Sequence, residues 1–389
     1  MKRFVTEDKI LNFLQQNCSL LATVAITSFA ILIRVAGFNF ESRDYIKYIK
    51  PWIHYMKEHG NIPGIVSVSA NYTPPSLLLY GLLSYFPEAL TLWAVKISSS
   101  IFDFITAFFS YKIMLNLTEN IKKSLLVYLL ILFCPTVFLN SAVWGQCDSI
   151  FTAFLLVSLF FFLKGKTKWS LFFFGLALSF KLQAIFILPF FVFMYAYRKW
   201  NIAEVLYSVV GFFTLNIPLW FLGIPMLQWA KVYLRQMHQY ENLTLNAPTV
   251  YAIFPTNANI GIIFMLITLI SLTFYILHSK PKCSKKTIIL LFLACSSFIP
   301  FVLPHMHERY FYIADILSII YVVYNSSKWL ISFFIIFPSL ITYTNYLYTE
   351  QGVFSLQVLS IIIGAGVICI SRQLIKDIKS NSTYIDKRI

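Results

Sequence analysis

The sequence contains few charged residues for its length. Only 12% of its 389 residues are Asp, Glu, Lys or Arg, whereas 58% are hydrophobic and the mean hydropathy is +0.72. A soluble protein of this size does not need such an excess of apolar residues to fill its core. The composition therefore argues against an ordinary soluble domain and predicts an all-α polytopic membrane protein.

Acidic residues are especially scarce, with 16 Asp and Glu against 31 Lys and Arg, which gives a formal net charge of +15. A charge of this size also occurs in proteins that bind nucleic acid. Here the basic residues lie in short loops between apolar runs, which is the distribution that the positive-inside rule describes. We therefore interpret the charge as a signal of membrane orientation and expect no nucleic-acid partner.

Several motifs of other protein classes are missing. The six cysteines are scattered and form neither a metal-ligand spacing nor a disulfide framework. The sequence has no glycine-rich turn of the kind that binds a nucleotide, and no loop is long enough to form a separate soluble domain. We therefore expect a single integral membrane domain over residues 1–389, with no metal and no cofactor. The first apolar run is long and has no small-residue cleavage site, so we expect no cleavable signal.

Apolar runs recur along the whole chain. Their predicted bounds are 18–38, 90–114, 122–142, 149–164, 168–182, 184–198, 203–222, 258–278, 286–304, 309–324, 328–347 and 353–371. Segment 76–86 is also apolar, but it has only about half the length needed to cross a hydrocarbon core of about 30 Å. If it does not cross, almost all loop lysines and arginines lie on the cytoplasmic side. The sequence therefore predicts about twelve transmembrane helices, with both termini in the cytoplasm and 76–86 entering only the outer leaflet.

This topology gives two long extracytoplasmic loops, 38–89 and 223–257. In the first loop, the residues from Asp44 onward place lysines on one helical stripe and apolar side chains on another. We expect an interfacial helix with a kink or joint at Pro51. Asp44 stands where this helix begins. The residues alone leave open whether its carboxylate only caps the helix or takes part in chemistry at the membrane surface.

The same topology places the unusual polar residues on the outer side. Lys181 lies near a turn between two short helices, where a lysine can bind a phosphate as a point charge or extend to the interface. Charged residues inside spans are costly unless they are paired or hydrated, so each is a candidate for function. Lys96 and Asp103 lie seven residues apart on one helix face, and we favour a structural role for them.

A second polar turn contains His305, His307, Glu308 and Arg309. The planar guanidinium of Arg309 suits bidentate contact with a phosphate, although Glu308 and Arg309 can also simply balance each other in a solvated loop. Two histidines two residues apart, with no clear third ligand, are weak evidence for a metal. The turn from 144 to 148 offers an indole, an amide and a carboxylate, which are groups that bind sugars but are individually nonspecific.

Five motifs occur in one order along the chain: Ser42-Arg43-Asp44-Tyr45 with Pro51-Trp52, Asn71-Tyr72-Thr73-Pro74-Pro75, Trp144-Gly145-Gln146-Cys147-Asp148-Ser149, Phe180-Lys181-Leu182-Gln183-Ala184, and Met306-His307-Glu308-Arg309-Tyr310-Phe311. Together they resemble the C-type membrane glycosyltransferases (GT-C fold), in particular the bacterial relatives of the second GPI-anchor mannosyltransferase. Any one motif is weak, whereas five in order are specific.

The resemblance implies transfer of a hexose from a polyprenyl-phosphate sugar to an acceptor outside the cytoplasm, with Asp44 as the catalytic base. The arginine at position 43 and the residues Ser76 and Cys147 have no role that the resemblance assigns. The candidate substrate-binding residues are Tyr72, Trp144, Gln146, Asp148, Lys181, Gln183, His307, Glu308, Arg309 and Tyr310. The expected partners are the lipid-linked donor, membrane lipid and a glycan or glycolipid acceptor, and the expected location is a bacterial plasma membrane with the site facing outside.

The polar residues support the same type of donor independently. Nucleotide sugars are made in the cytoplasm, whereas the predicted polar cluster faces outward and the sequence has no nucleotide-binding turn. A phosphate leaving group can be stabilised by cations, and one base is enough to activate an acceptor hydroxyl, so we expect inversion at the anomeric carbon. Two alternatives stay open: a transporter or flippase for lipid-linked sugars, which usually has repeats and broken helices at mid-membrane, and a polysaccharide polymerase or ligase.

Overall fold

The computed structural model describes residues 5–237, 241–348 and 353–382, and these form seventeen α-helices. The helices are α1 Val5–Gly37, α2 Lys50–Glu58, α3 Pro74–Leu83, α4 Glu88–Thr118, α5 Ile121–Leu132, α6 Pro135–Phe138, α7 Asp148–Leu163, α8 Thr167–Phe180, α9 Leu188–Ala196, α10 Val205–Phe221, α11 Met226–Met237, α12 Val250–Ile253, α13 Ala258–Ser279, α14 Lys285–Val302, α15 Tyr312–Tyr324, α16 Leu330–Tyr348 and α17 Leu356–Ser382. The only strands in this part of the chain are β1 Thr244–Leu245 and β2 Met306–His307, which pair in parallel. The predicted all-α architecture is confirmed.

Seven helices of the described chain are long and apolar enough to cross a membrane, or eight if the bent pair 121–132 and 135–144 is one span. The pair bends by 47°, next to Pro135, which cannot donate a backbone hydrogen bond. Every predicted apolar run is helical, but the helices at 148–163, 167–180 and 182–196 are shorter than a full span. The number of about twelve spans therefore stays a prediction.

The first predicted loop folds as a layer of short helices. A π-helical turn at Tyr45–Ile49 leads directly into α2, and Pro51 lies in the first turn of α2. Ile49, Trp52, Ile53 and Met56 are buried, whereas the lysines of the segment are exposed. The predicted apolar stripe of Ile46, Ile49, Ile53 and Met56 is therefore buried from Ile49 onward, whereas Ile46 in the π-helical turn is exposed. The second predicted loop, 223–257, contains α11, β1 and α12, and its residues 238–240 lie outside the described residues.

Segment 76–86 forms most of the ten-residue helix α3. Its side chains Leu77, Tyr80 and Leu83 pack in one cluster with the buried face of α2. Thr73 and Ser76 both donate hydrogen bonds to the carbonyl of Phe180, at 2.6 and 2.8 Å. These bonds attach α3 to the end of α8, directly beside Lys181.

Three buried charged residues of the helix bundle, Arg34, Lys96 and Asp103, have polar partners. Arg34 of α1 donates to the Asp103 carboxylate of α4 at 2.9 Å, and Ser141 donates to the same oxygen. Lys96 donates to the carbonyl oxygens of Gly37 and Phe40. A buried charge without a partner costs several kcal/mol, so these contacts fix the end of α1 against α4. Lys96 and Asp103 have the structural role that we favoured, and Arg34 is a partner that the sequence did not indicate.

Candidate active site

Asp44 lies at the start of the π-helical turn, at the end of the bundle where the first loop begins. Its side chain makes no helix-capping hydrogen bond, which removes the alternative that the carboxylate serves as a cap. The neighbouring Ser42 fixes the turn instead: its hydroxyl donates to the carbonyl of Trp144 at 2.6 Å and accepts from the amide of Tyr45 at 3.1 Å. The carboxylate is therefore free to face the protein interior, where Asp44 is only 8% exposed.

Three side chains donate hydrogen bonds to the Asp44 carboxylate. Trp144 Nε1 and Gln146 Nε2 donate to Oδ2 at 2.9 and 2.6 Å. The hydroxyl of Tyr346 donates to Oδ1 at 2.6 Å. Each donor fixes the orientation of the carboxylate, so Asp44 is a held acceptor and not a mobile surface acid. Trp144 and Gln146 were predicted site residues, whereas Tyr346 was not.

The turn that presents Trp144 and Gln146 depends on Gly145. Its φ of +77° lies in the left-handed region, which glycine adopts without steric cost. The turn closes a π-helix at Leu139–Trp144 and leads into α7, whose first residue is Asp148. One short segment of chain therefore places an indole and an amide on Asp44 and a second carboxylate beside them.

Asp148 and Lys181 form a buried ion pair. Lys181 Nζ lies 2.5 Å from Asp148 Oδ1, and Asn140 donates to Oδ2 at 3.0 Å. Lys181 lies between α8 and a 3₁₀ helix at Leu182–Ile187, with an extended backbone that breaks the helix there. Lys181 is 7% exposed, so it does not extend to an interface. Asn140 is a further contact that the sequence did not indicate.

Arg309 lies between the carboxylates of Asp44 and Asp148. Its guanidinium is 3.8 Å from Asp44 Oδ2, 3.6 Å from Asp148 Oδ2 and 3.4 Å from Glu308 Oε1. It also lies over the Trp144 ring, 5.5 Å from the centroid. Burial opposes the charge of Arg309, but the three surrounding carboxylates outweigh it and raise the pKa of Arg309 well above its usual value.

The remaining predicted residues surround this cluster. Tyr72 donates to Gln146 Oε1 at 3.2 Å, and Gln183 and Tyr310 line the adjoining cavity. Burial, with the nearby cations Arg309 and Lys181, lowers the pKa of His307 to about 2. His307 is therefore neutral near pH 7, and its 4.0 Å approach to Glu308 is not an ion pair. All of the predicted site residues thus lie in one region.

The adjoining cavity, here called the cation cavity, has a volume of about 500 Å³. Its lining includes the polar residues Tyr72, Lys181, Gln183, His307 and Arg309. It also includes the apolar residues Phe180, Ile185, Phe186, Ile262 and Leu303. Such a lining suits an amphiphile with an anionic group.

Glu308 lies between α14 and α15 and is 1% exposed. Burial raises its pKa from 4.5 to about 7, although Arg309 opposes the shift. Between these pH values the folded protein holds a proton that the unfolded chain has released, so the free energy of unfolding falls as pH rises. We expect up to about 1.4 kcal/mol of loss for each pH unit in that window.

Thermal unfolding in lipid nanodiscs at pH 5 and pH 7.5 tests this expectation. The melting temperature of the wild type should fall more between the two pH values than that of Glu308→Gln, which carries no titrating group at this position. Parallel behaviour of the two proteins would contradict the raised pKa.

Comparisons with known proteins identify the family. The model of glycosyltransferase family 87 matches residues 71–326, and a search of curated proteins gives no significant match. The structure is similar to the crystal structure of ArnT from Cupriavidus metallidurans bound to undecaprenyl phosphate. The TM-score is 0.56 at 11% sequence identity, covering 92% of this chain and 78% of that one. The predicted GT-C fold is confirmed. The chain is a membrane glycosyltransferase and belongs to glycosyltransferase family 87.

Proposed function

We propose that this chain transfers a hexose from a polyprenyl-phosphate sugar to a hydroxyl group of a glycolipid, wall polymer or polysaccharide. The observation that carries the proposal is the contact of one held carboxylate, Asp44, with a cation that lines an amphiphilic cavity, Arg309. A transferase of this kind needs a base for the acceptor and positive charge for the departing phosphate.

The donor phosphate binds to Lys181 and Arg309. Both side chains line the cation cavity, where they are already buried and held in place by carboxylates. Arg309 presents a planar fork, which suits bidentate phosphate contact, and Lys181 adds a point charge. The apolar residues of the lining accommodate the first part of the prenyl chain. The fold similarity to a protein bound to undecaprenyl phosphate supports this choice of donor.

In the reaction, Asp44 takes the proton of the acceptor hydroxyl as the oxygen attacks the anomeric carbon. The bond between that carbon and the phosphate oxygen breaks, and the electron pair leaves with the phosphate, which Lys181 and Arg309 stabilise. A single displacement inverts the anomeric centre. Asp148, which is ion-paired with Lys181, holds that cation in place for the phosphate.

A purified, full-length enzyme in nanodiscs tests the donor class. We expect transfer from undecaprenyl-phosphate mannose, glucose or galactose, and none from the corresponding nucleotide sugars. The measurement is mass spectrometry of the extracted products. Single-sugar additions support the transferase, long products indicate a polymerase or ligase, and movement of donor across a bilayer without new linkages indicates a transporter. Efficient use of a nucleotide sugar without lipid would contradict the proposal.

We place the enzyme in a bacterial plasma membrane with the site facing outside, because this orientation keeps the lysine-rich loops in the cytoplasm. Cysteines introduced at His59 and Glu241 of a cysteine-free variant should react with an impermeant maleimide in intact spheroplasts. A cysteine at Lys280 should react only after lysis. All three residues are exposed, so accessibility across the membrane decides the result. Labelling of Lys280→Cys alone in intact cells would reverse the orientation.

A further inference from the structure

A second cavity, of about 250 Å³, lies on the Tyr346 side of Asp44. It is lined by Asn246, Thr342, Asn345, Tyr346, Phe354, Leu356 and Leu359, none of which lines the cation cavity. Tyr346 connects it to the base, because its hydroxyl donates to Asp44 Oδ1 at 2.6 Å. The cation cavity reaches the same carboxylate through Arg309, which lies beside Oδ2. Each cavity therefore has one lining residue that contacts Asp44, and these two residues contact different oxygens of its carboxylate.

The linings of the two cavities are in direct contact at one point. Asn246 lines the second cavity, His307 lines the cation cavity, and the two residues form an antiparallel β-bridge. A displacement that inverts the anomeric centre brings the nucleophile and the leaving group to opposite faces of the sugar. Two separate compartments, one on the Arg309 side and one on the Tyr346 side of the base, satisfy this requirement.

The chemistry of the second cavity differs from that of the first. Its described lining contains no charged side chain, whereas Lys181 and Arg309 line the cation cavity. The amides of Asn246 and Asn345 lie at the lining, together with the tyrosine hydroxyl, and Phe354 and two leucines supply apolar surface. Amides suit the hydroxyl groups of a sugar, and an apolar side chain suits the C–H face of its ring.

Size limits the occupant further. The volume of about 250 Å³ is half that of the cation cavity, which has about 500 Å³. The smaller volume is room for one sugar ring and not for a long lipid. The described part of this lining also offers a phosphate no cation, whereas Lys181 and Arg309 line the cation cavity.

We propose that the second cavity, here called the acceptor cavity, binds the uncharged sugar ring that carries the attacking hydroxyl. This inference rests on the proposed function, because it assigns the second substrate of the same reaction. Tyr346 is a positioning residue that orients Asp44 Oδ1 toward the acceptor cavity. The acceptor hydroxyl reaches the carboxylate from this side and loses its proton there.

A protection experiment tests binding without requiring turnover. In a cysteine-free variant, Phe354→Cys reports on the acceptor cavity and Ile262→Cys on the cation cavity, and neither change removes a polar group. We expect millimolar octyl mannoside, glucoside or galactoside to slow modification of Phe354→Cys by a methanethiosulfonate at least fivefold, with less than a twofold effect on Ile262→Cys. Undecaprenyl phosphate should do the reverse. Protection of Phe354→Cys by undecaprenyl phosphate, or by no hexoside, overturns the assignment.

A kinetic experiment adds a matched pair of substitutions that remove an amide at nearly constant size. Asn345→Leu should raise the KM for the octyl hexoside at least tenfold and change the KM for the lipid donor less than twofold, and Asn345→Gln should recover part of the loss. Asn259→Leu makes the same change in the lining of the cation cavity and should affect the donor KM instead. Equal effects of Asn345→Leu on both substrates overturn the proposal.

The two experiments separate the possible failures. If the enzyme transfers sugar from the lipid donor but shows neither hexoside protection nor a change in acceptor KM, the assignment of the acceptor cavity is wrong and the proposed function is retained. If hexosides protect Phe354→Cys but no lipid donor supports transfer, the proposed function is wrong and the assignment of a sugar-binding cavity is retained. Free disaccharides of the same hexoses, compared with the octyl hexosides, distinguish a soluble glycan acceptor from one held in the membrane.

Discussion

Asp44→Asn should lower sugar transfer by about 10²–10⁴-fold, which is the usual contribution of a general base. Asparagine keeps the size of the side chain and one oxygen for Trp144 and Gln146, which donate to Asp44 Oδ2. Tyr346 can reverse its hydrogen bond and accept from the new amide. The substitution therefore removes the proton acceptor with little change in shape, and donor binding should persist. Transfer rates with a fixed lipid donor and binding of undecaprenyl phosphate measure the two effects separately.

Glu41→Gln is the matched control for this prediction. Glu41 lies three residues before Asp44, but its side chain is 44% exposed and its ion-pair contact, with Lys50, is at 3.9 Å. Such surface pairs contribute little, so Glu41→Gln should change transfer less than twofold. A folded Asp44→Asn enzyme with near-parental turnover would leave the carboxylate with a purely structural role.

The sequence was sufficient to predict the helices and much of the site. Hydropathy located every apolar helix, because chain segments buried in a membrane must be apolar along their whole length. The five ordered motifs supplied Asp44, Asp148, Lys181 and Arg309, which the fold brings together although more than 260 residues separate the first from the last. The family model begins at residue 71, so Asp44 itself rests on the motif and the geometry.

The sequence did not predict which residues complete the site from distant helices. Tyr346 follows Asp44 by 302 residues and lies at the end of an apolar helix. Aromatic residues are common at such ends as interfacial anchors, so nothing in the local pattern separates Tyr346 from an anchor. The same holds for Arg34, which balances Asp103 across the bundle. Both contacts follow from the packing of helices, and residue type and spacing do not encode that packing locally.

The short-range patterns also left alternatives that only burial could separate. A lysine near the end of a span can extend to the interface, and Lys181 had this alternative in the sequence. In the fold it is ion-paired with Asp148 and only 7% exposed, so its head group does not extend to the membrane surface. Arg309 likewise lies within 4 Å of three carboxyl groups, those of Asp44, Asp148 and Glu308, rather than beside Glu308 alone. Arg309 therefore has three carboxyl neighbours, whereas Lys181 is paired with Asp148.

Arg309→Lys should reduce turnover with the lipid donor by about 10²-fold, the size of effect seen when one stabilising donor of a developing anion is removed. Lysine keeps the positive charge, but it loses the planar fork that reaches Asp44 and Asp148 at once. The ammonium can approach only one of the carboxylates closely, so the phosphate loses a bidentate contact. The KM for the donor should rise together with the fall in turnover, and both are measured with undecaprenyl-phosphate hexoses.

Arg43→Lys makes the same chemical change next to Asp44 in sequence but at an exposed position. It should alter turnover less than twofold, which separates loss of the fork at the site from a general effect of replacing arginine near the base. Because lysine retains the charge, the Arg309 variant should stay folded, and its melting temperature in nanodiscs verifies this. A folded Arg309→Lys enzyme with unchanged donor KM and turnover would assign the donor phosphate to Lys181 alone.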